Sequence, residues 1–274
     1  MDTIGLLGGM SWESTSIYYR LINQITRLHC GGLHSAPLLV WSANFEEIER
    51  LMREGRWETA GDIVAVAARH LESAGARLLV LCCNTMHKVA PQIQEAVSIP
   101  MLHIADVTAE RIKRGGLKQV ALLGTRYTME EDFYIGRLTR NHGLRVLTPE
   151  PADRQLIDRV IFDELCRGTV RDESRKHFLR VIEYLGNSGA EGVIAGCTEI
   201  GMLIKQGDMS LPLFDTTRIH SGEAVRRAMG KALTPRRAHP PTPADHPDAA
   251  ISDEAIHRDY ELKPAYSVSS SVPT

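Results

Sequence analysis

Residues 74–87 read AGARLLVLCCNTMH, and residues 188–201 read SGAEGVIAGCTEIG. Each stretch has a small-Gly-Ala lead-in and a short apolar run. A cysteine follows, then polar residues with a threonine and a helix-like continuation. Cys83 and Cys197 lie 114 residues apart. Two further pairs keep nearly that offset. LLGGMSWESTSIYY, from Leu6, matches LLGTRYTMEEDFY, from Leu122, 116 residues on. SIPML around Pro100 matches SLPLF around Pro212, 112 residues on. Three anchors in one order at one spacing indicate a duplicated unit.

Working outward from these anchors, short apolar runs alternate with stretches of helical period. Strands are expected at 3–7, 37–42, 77–81, 119–123, 144–147 and 192–195. The first, third, fourth and last are almost continuously apolar, the pattern of parallel strands covered on both faces. Helices are expected at 13–29, 57–73, 86–97, 106–114, 130–141, 153–166 and 172–187, with a last one at 216–233. This alternation predicts βαβ units and an open parallel sheet in each half, an α/β fold. The expected boundaries are a first domain at 1–107 and a second at 108–211, with 212–233 free to pack back on the first. Residues 234–274 carry seven of the thirteen prolines, little apolar periodicity and a Ser-rich end, so they read as a disordered tail. His239, His246 and His257 lie in that tail at irregular spacing and read as solvated side chains, not metal ligands.

Composition narrows the function. The 274 residues have a formal charge of −2 and no long basic block, which does not recommend a nucleic acid or a membrane surface as partner. No apolar run approaches the length of a spanning helix. The N-terminal MDTIGLLGGMSWE lacks the basic region of a signal peptide, and the five cysteines are odd in number without Cys-x-x-Cys spacing. A reducing cytoplasm is the expectation. GLLGGMS is not the dinucleotide pattern, and no phosphate-loop sequence is present.

In both halves the cysteine follows a buried strand and precedes a helix, which is where open α/β sheets bind ligands. A thiol there feels free backbone N–H groups that favour the thiolate. Asn84, Thr85, Thr198 and Glu199 stand beside the two thiols and could cradle a carboxylate. Met10 and Ser11 fall on the loop facing Cys83, and Thr125 and Arg126 hold the equivalent place in the second half. Cys82 should point away from Cys83 into packing, Cys30 reads as structural, and Cys166 belongs either to a core or to the pocket wall. His87 could assist Cys83 or simply pack. Asp215 reads as a helix N-cap.

Cys83-Asn84-Thr85-x-His87 and Gly196-Cys197-Thr198-Glu199, with GLLGGMSWEST, GTRYTMEEDFY and the FDT at 214–216, resemble the paired signatures of the aspartate/glutamate racemase family. The resemblance covers about residues 3–230 and is closest to the L-aspartate/glutamate or broad amino-acid racemase group. It implies two pseudo-symmetric Rossmann-like domains, often in a homodimer, with the site in the cleft between them and no cofactor. It also implies that Cys83 and Cys197 form an acid/base pair around an amino-acid substrate. Asn84, Thr85, Thr198 and Glu199 would then hold the α-carboxylate and ammonium. Aspartate-type members use basic residues for the side-chain carboxylate. In the corresponding segments this chain has Cys166, followed by Arg167, and Met52, followed by Arg53. A neutral or longer substrate side chain is therefore open.

Two thiols on opposite faces of one carbon suit removal of a proton from one face and its return to the other. Two other readings stay open on the sequence. One is a related cysteine-dependent enzyme, such as a hydantoin racemase or maleate isomerase. The other is a two-lobed amino-acid-binding protein with packing cysteines.

Overall fold

The computed structural model describes residues 1–230. The expected tail at 234–274, its histidines and the end of the helix expected at 216–233 lie outside the described residues. Eight strands form two four-stranded parallel sheets: β1 (Ile4–Gly8), β2 (Leu38–Ser42), β3 (Leu78–Leu81) and β4 (Met101–Leu102) in the first, β5 (Gln119–Gly124), β6 (Arg145–Leu147), β7 (Val193–Gly196) and β8 (Leu213–Asp215) in the second. The spatial orders are β2-β1-β3-β4 and β6-β5-β7-β8, so the second sheet repeats the first.

The helices that cover them are α1 (Trp12–Cys30), α2 (Phe45–Arg53), α3 (Trp57–Ser73), α4 (Ala90–Glu95) and α5 (Ile104–Arg114), then α6 (Arg126–Glu130), α7 (Asp132–Gly136), α8 (Pro151–Asp163), α9 (Asp172–Asn187), α10 (Ile200–Leu203) and α11 (Thr216–Ala228). The central strands β1, β3 and β7 are buried at every residue, as their unbroken apolar runs require, while β2 and β6 lie at sheet edges and are only partly covered. One core joins the first sheet to α2 and α3 through Leu79, Leu81, Ile48 and Val64. Another joins the second sheet to α8 and α9 through Leu123, Ile161 and Phe178.

Several expected elements change form. The helix expected at 86–97 is a 3₁₀ turn, Thr85–Val89, followed by α4, because Val89 leaves helical geometry and Pro91 opens a fresh helix. The helix expected at 130–141 is divided among α6, α7 and a π-turn, Arg137–Asn141, since Glu131 is extended. The helix expected at 153–166 stops at Asp163. Residues 165–167 form a 3₁₀ turn closed by Gly168 at φ +72°.

The helices after β4 and β8 are exchanged. From β4 the chain enters α5, whose Ile104, Ala105, Ala109 and Ile112 pack on Val120, Leu122 and Ile194 of the second sheet. From β8 it enters α11, which returns to the first half. There His220 meets Tyr18 of α1 and the Leu102 carbonyl, and the Ala228 carbonyl accepts from the Asp2 N–H.

In each sheet the connection reverses between the two central strands, β1 and β3 or β5 and β7. Loops leaving their carboxyl ends diverge there and leave a crevice. Gly9 shapes the first of these loops. Its φ is +85°, and a Cβ would lie 2.1 Å from the backbone nitrogen of Ala43. Gly9→Ala is therefore expected to cost at least about 3 kcal/mol through strain and displaced backbone. A drop of more than about 6 °C in Tm would register it.

Candidate active site

Four loops converge on the pocket. The β1 loop supplies Met10, and the β3 loop supplies Cys83, Asn84 and Thr85. The β5 loop supplies Thr125, and the β7 loop supplies Gly196 to Glu199. Cys83, Cys197 and the third thiol, Cys166, all open into one cavity with about 20 Å³ of free space, room for about one water-sized sphere. Met10, Phe45, Met52, Ile161 and Phe162 form its apolar walls.

Polar contacts ring this cavity and join the halves. The Tyr134 hydroxyl donates to Asn84 Oδ1 at 3.0 Å, and Asn84 Nδ2 donates to Thr216 Oγ1 at 3.0 Å. Thr85 Oγ1 lies 2.8 Å from Thr125 Oγ1. Opposite them, Glu199 reaches across to α1. Its Oε1 accepts from Ser11 and Ser14, each at 2.7 Å, and its Oε2 accepts from Thr198 at 2.6 Å and from the Cys197 thiol at 2.9 Å. Cys166 adds a long contact of 3.7 Å to Oε1. Glu199 is 2 % exposed, and five donors surround its carboxylate.

The two thiols have different partners. Burial pushes the Cys83 thiol up to about 12, the Glu199 charge adds to it, and donation from the Met86 and Thr85 N–H groups and the Thr85 hydroxyl opposes it. Burial also pushes Cys197 well up, and the Glu199 carboxylate adds to it by its charge and by accepting a hydrogen bond from the thiol, against a smaller lowering by the Glu199 backbone N–H. Both thiols have backbone donors beside them and both feel the Glu199 charge; what separates them is that the Glu199 carboxylate accepts directly from Cys197, which favours a thiol there.

Of the residues read from the sequence as candidates, Met10, Met52, Cys83, Asn84, Thr85, Thr125, Cys166, Cys197, Thr198 and Glu199 line this cavity, while Ser11, Arg53, His87 and Arg126 do not. Arg53 is corrected. The apolar stripe of α2 turns Ile48, Leu51 and Met52 inward, and one residue further round the helix Arg53 is exposed, 3.6 Å from Glu49. His87 belongs to packing. Its Nδ1 donates to the Cys83 carbonyl and its Nε2 accepts from the Ile104 N–H, so burial holds it neutral, with its pKa down at about 4. Cys82 is fully buried away from the pocket, Cys30 is exposed, and Asp215 caps α11 through the Thr217 and Arg218 N–H groups.

The reading of the sequence passed over Ser14, Phe45, Ile161, Phe162 and Tyr134. A signal for Phe45 existed in FEEIERLMR, whose apolar residues recur at helical spacing after Asn44. Nothing local marks Ser14 or Tyr134, which reach the site only through the tertiary fold. Among the described residues no cationic side chain lines the cavity, and no group of three or more His, Cys, Asp or Glu could hold a metal ion. Also among them, no helix is long and apolar enough to cross a membrane.

Two repeated parallel sheets, with a thiol at the carboxyl edge of each and both thiols facing one cavity, define a two-lobed α/β protein with a small shared site. The model of the Asp/Glu/hydantoin racemase family matches residues 7–224, and the chain belongs to that family. It is 50% identical to a Yersinia pestis protein of known structure assigned to the Asp/Glu racemases, over 84% of this chain and 100% of the other, with a TM-score of 0.79. An aspartate racemase homologue from Pyrococcus horikoshii OT3 is 38% identical over 84% of this chain and 100% of its own, with a TM-score of 0.74. The broad-specificity amino-acid racemase RacX of Bacillus subtilis (strain 168) is 24% identical over 236 residues, 78% of this chain and 92% of its own.

Proposed function

We propose that the protein is a cofactor-independent amino-acid racemase of a reducing, cytoplasmic compartment, in which Cys83 and Cys197 exchange protons with opposite faces of Cα. The observation that carries this reading is the shared cavity of two thiols at matching places in the two repeats. One cysteine, as thiolate, takes the α-proton, and the other, as thiol, returns a proton to the other face. Thiols raised in pKa make strong bases, as a weakly acidic C–H requires. The substrate brings its own ammonium cation, which favours thiolate formation within a dry pocket. Polar groups on Asn84, Thr85 and Thr125 stand at the cavity to meet the α-carboxylate as charge builds on it. Free space of about 20 Å³ is too small for an amino acid, so the halves must part for entry and close around the substrate.

The wall favours a neutral side chain. Met10, Phe45, Met52, Ile161 and Phe162 offer apolar surface, and the one charged group in the lining is the anionic Glu199. A substrate carboxylate pressed there would lose its hydration without a cation to replace it, at a cost of several kcal/mol. Proton NMR in D₂O with L- and D-homoserine, methionine, leucine, aspartate and glutamate tests both points. Neutral amino acids are expected to lose the α-proton signal and gain the opposite enantiomer with kcat/KM at least about tenfold above aspartate, roughly 1.4 kcal/mol. A preference for aspartate or glutamate would remove the assignment of substrate class. Silence across the panel, with folded protein and reduced thiols, would remove the racemase.

A further inference from the structure

We propose that Glu199 is a positioning residue that keeps the resting proton on Cys197 and, through the same carboxylate, fastens that thiol to the first half of the molecule. The proposal rests on the racemase reading for its kinetic consequence and on geometry for the rest. A carboxylate that binds a substrate ammonium must offer it free acceptor positions. Those of Glu199 are occupied by Ser11, Ser14, Thr198, Cys166 and Cys197. The ammonium-binding role implied by family resemblance therefore gives way to an internal one. Ser11 and Ser14 come from the start of α1 and Cys197 from the end of β7, so Glu199 spans the cleft between them. Ser14 also touches Thr198, which closes the network.

The consequence is an unequal pair. Cys83 accepts from Met86 and Thr85, while Cys197 donates to Glu199. The free enzyme is then set as Cys83 thiolate and Cys197 thiol whenever one proton is missing from the pair. One turnover moves the α-proton to Cys83 and the Cys197 proton to Cα, leaving Cys197 as a thiolate beside the Glu199 carboxylate. Two like charges 2.9 Å apart repel strongly in a dry site, which makes that thiolate a potent base and drives the protons back to the resting arrangement. The titratable groups facing Cys197 are Glu199, Cys166 and, across the cavity, Cys83. Asp158 acts on Cys166 from α8. Racemisation has an equilibrium constant of one, so Glu199 cannot change the ratio of kcat/KM in the two directions. It sets the pH range over which both directions run together.

Glu199→Gln tests this by keeping the shape and removing the charge. The alkaline limb of the kcat/KM profile, which reports loss of the Cys197 proton, is expected to move at least one pH unit toward acid. Glu199→Asp, which keeps the charge, should lower kcat and leave the limb in place. A second readout does not depend on turnover. Ultraviolet thiolate titration of the intact protein, taken as the difference from Cys197→Ser, gives the Cys197 ionisation directly. Its midpoint should fall in Glu199→Gln and hold in Glu199→Asp. Unchanged midpoints in a folded Glu199→Gln protein overturn the proposal. If no amino acid is racemised by the wild type, the function proposed above fails, yet the titration still decides the role of Glu199.

Discussion

Cys83→Ala and Cys197→Ala are each expected to lower racemisation by a factor of about 10³ or more while leaving the fold intact. The size follows from removing one of two proton-transfer groups, each of which contributes about 10²–10⁴. The two losses should not multiply, because neither thiol can complete an inversion alone. What remains should differ between the variants. With only Cys83 present, a proton can leave from and return to one face, so solvent deuterium enters a single enantiomer without inversion. With only Cys197 present, deuterium enters the other enantiomer. Proton NMR coupled to chiral chromatography reads both outcomes in one sample. Substantial inversion in either folded variant would contradict the two-base mechanism. Deuterium entering the same enantiomer in both would contradict the placement of the thiols on opposite faces.

Acid should destabilise the protein well before its carboxylates protonate. His87, His103 and His220 form a buried cluster, with ring centroids of His87 at 4.6 Å from His103 and 5.9 Å from His220. Each is held neutral by burial, with pKa values lowered from 6.5 to about 4, about 2 and about 3. Hydrogen bonding fixes the same state. His220 Nε2 donates to the Leu102 carbonyl while its Nδ1 accepts from the Tyr18 hydroxyl, so a second ring proton would have to displace a partner. The unfolded chain takes up protons near pH 6.5 and the folded chain does not. Stability is therefore fully present above pH 6.5 and falls as pH drops toward the folded values. At about 1.4 kcal/mol per unit, each histidine withdraws on the order of 3 kcal/mol by pH 4, and together they approach the whole stability of an ordinary domain. Urea unfolding at pH 7.5, 6, 5 and 4 should show a midpoint falling steeply below pH 6.5. A midpoint flat from pH 7.5 to 5 would refute the account. His220→Gln, which can still donate and accept, should be less stable at pH 7.5 and have a shallower acid slope.

The parts of this molecule that were legible in the sequence are those with a local cause. Buried parallel strands announce themselves as unbroken apolar runs, so β1, β3, β5 and β7 were found within a residue or two. The internal repeat then tied the two thiols to equivalent strand ends. β4 and β8, two and three residues long, are too short to carry a period, although the prolines before them marked the repeat. The amphipathic α2 was missed as an element, and that omission hid Phe45 and misdirected Arg53, whose neighbour Met52 faces the cavity instead. Glu199 was found, but in another part. GCTE places a carboxylate near Cys197, and only the arrival of Ser11 and Ser14 from 185 or more residues away shows that its acceptor positions are filled. The same reason hides Tyr134, and it hides what Thr216 does within the FDT that was noted, since the meeting of both at Asn84 is a property of the fold.

The exchange of α5 and α11 bears on how the two halves could ever have lived apart. Each sheet receives one of its covering helices from the other half of the gene product, so an ancestor consisting of one repeat would have left a sheet face bare and a helix without a seat. Two such copies could satisfy each other by trading helices, and the ligand cavity would have arisen at the seam of that reciprocal embrace. In the single chain that partnership is covalent, and only one of its two thiols is held directly by a carboxylate, Cys197 by Glu199.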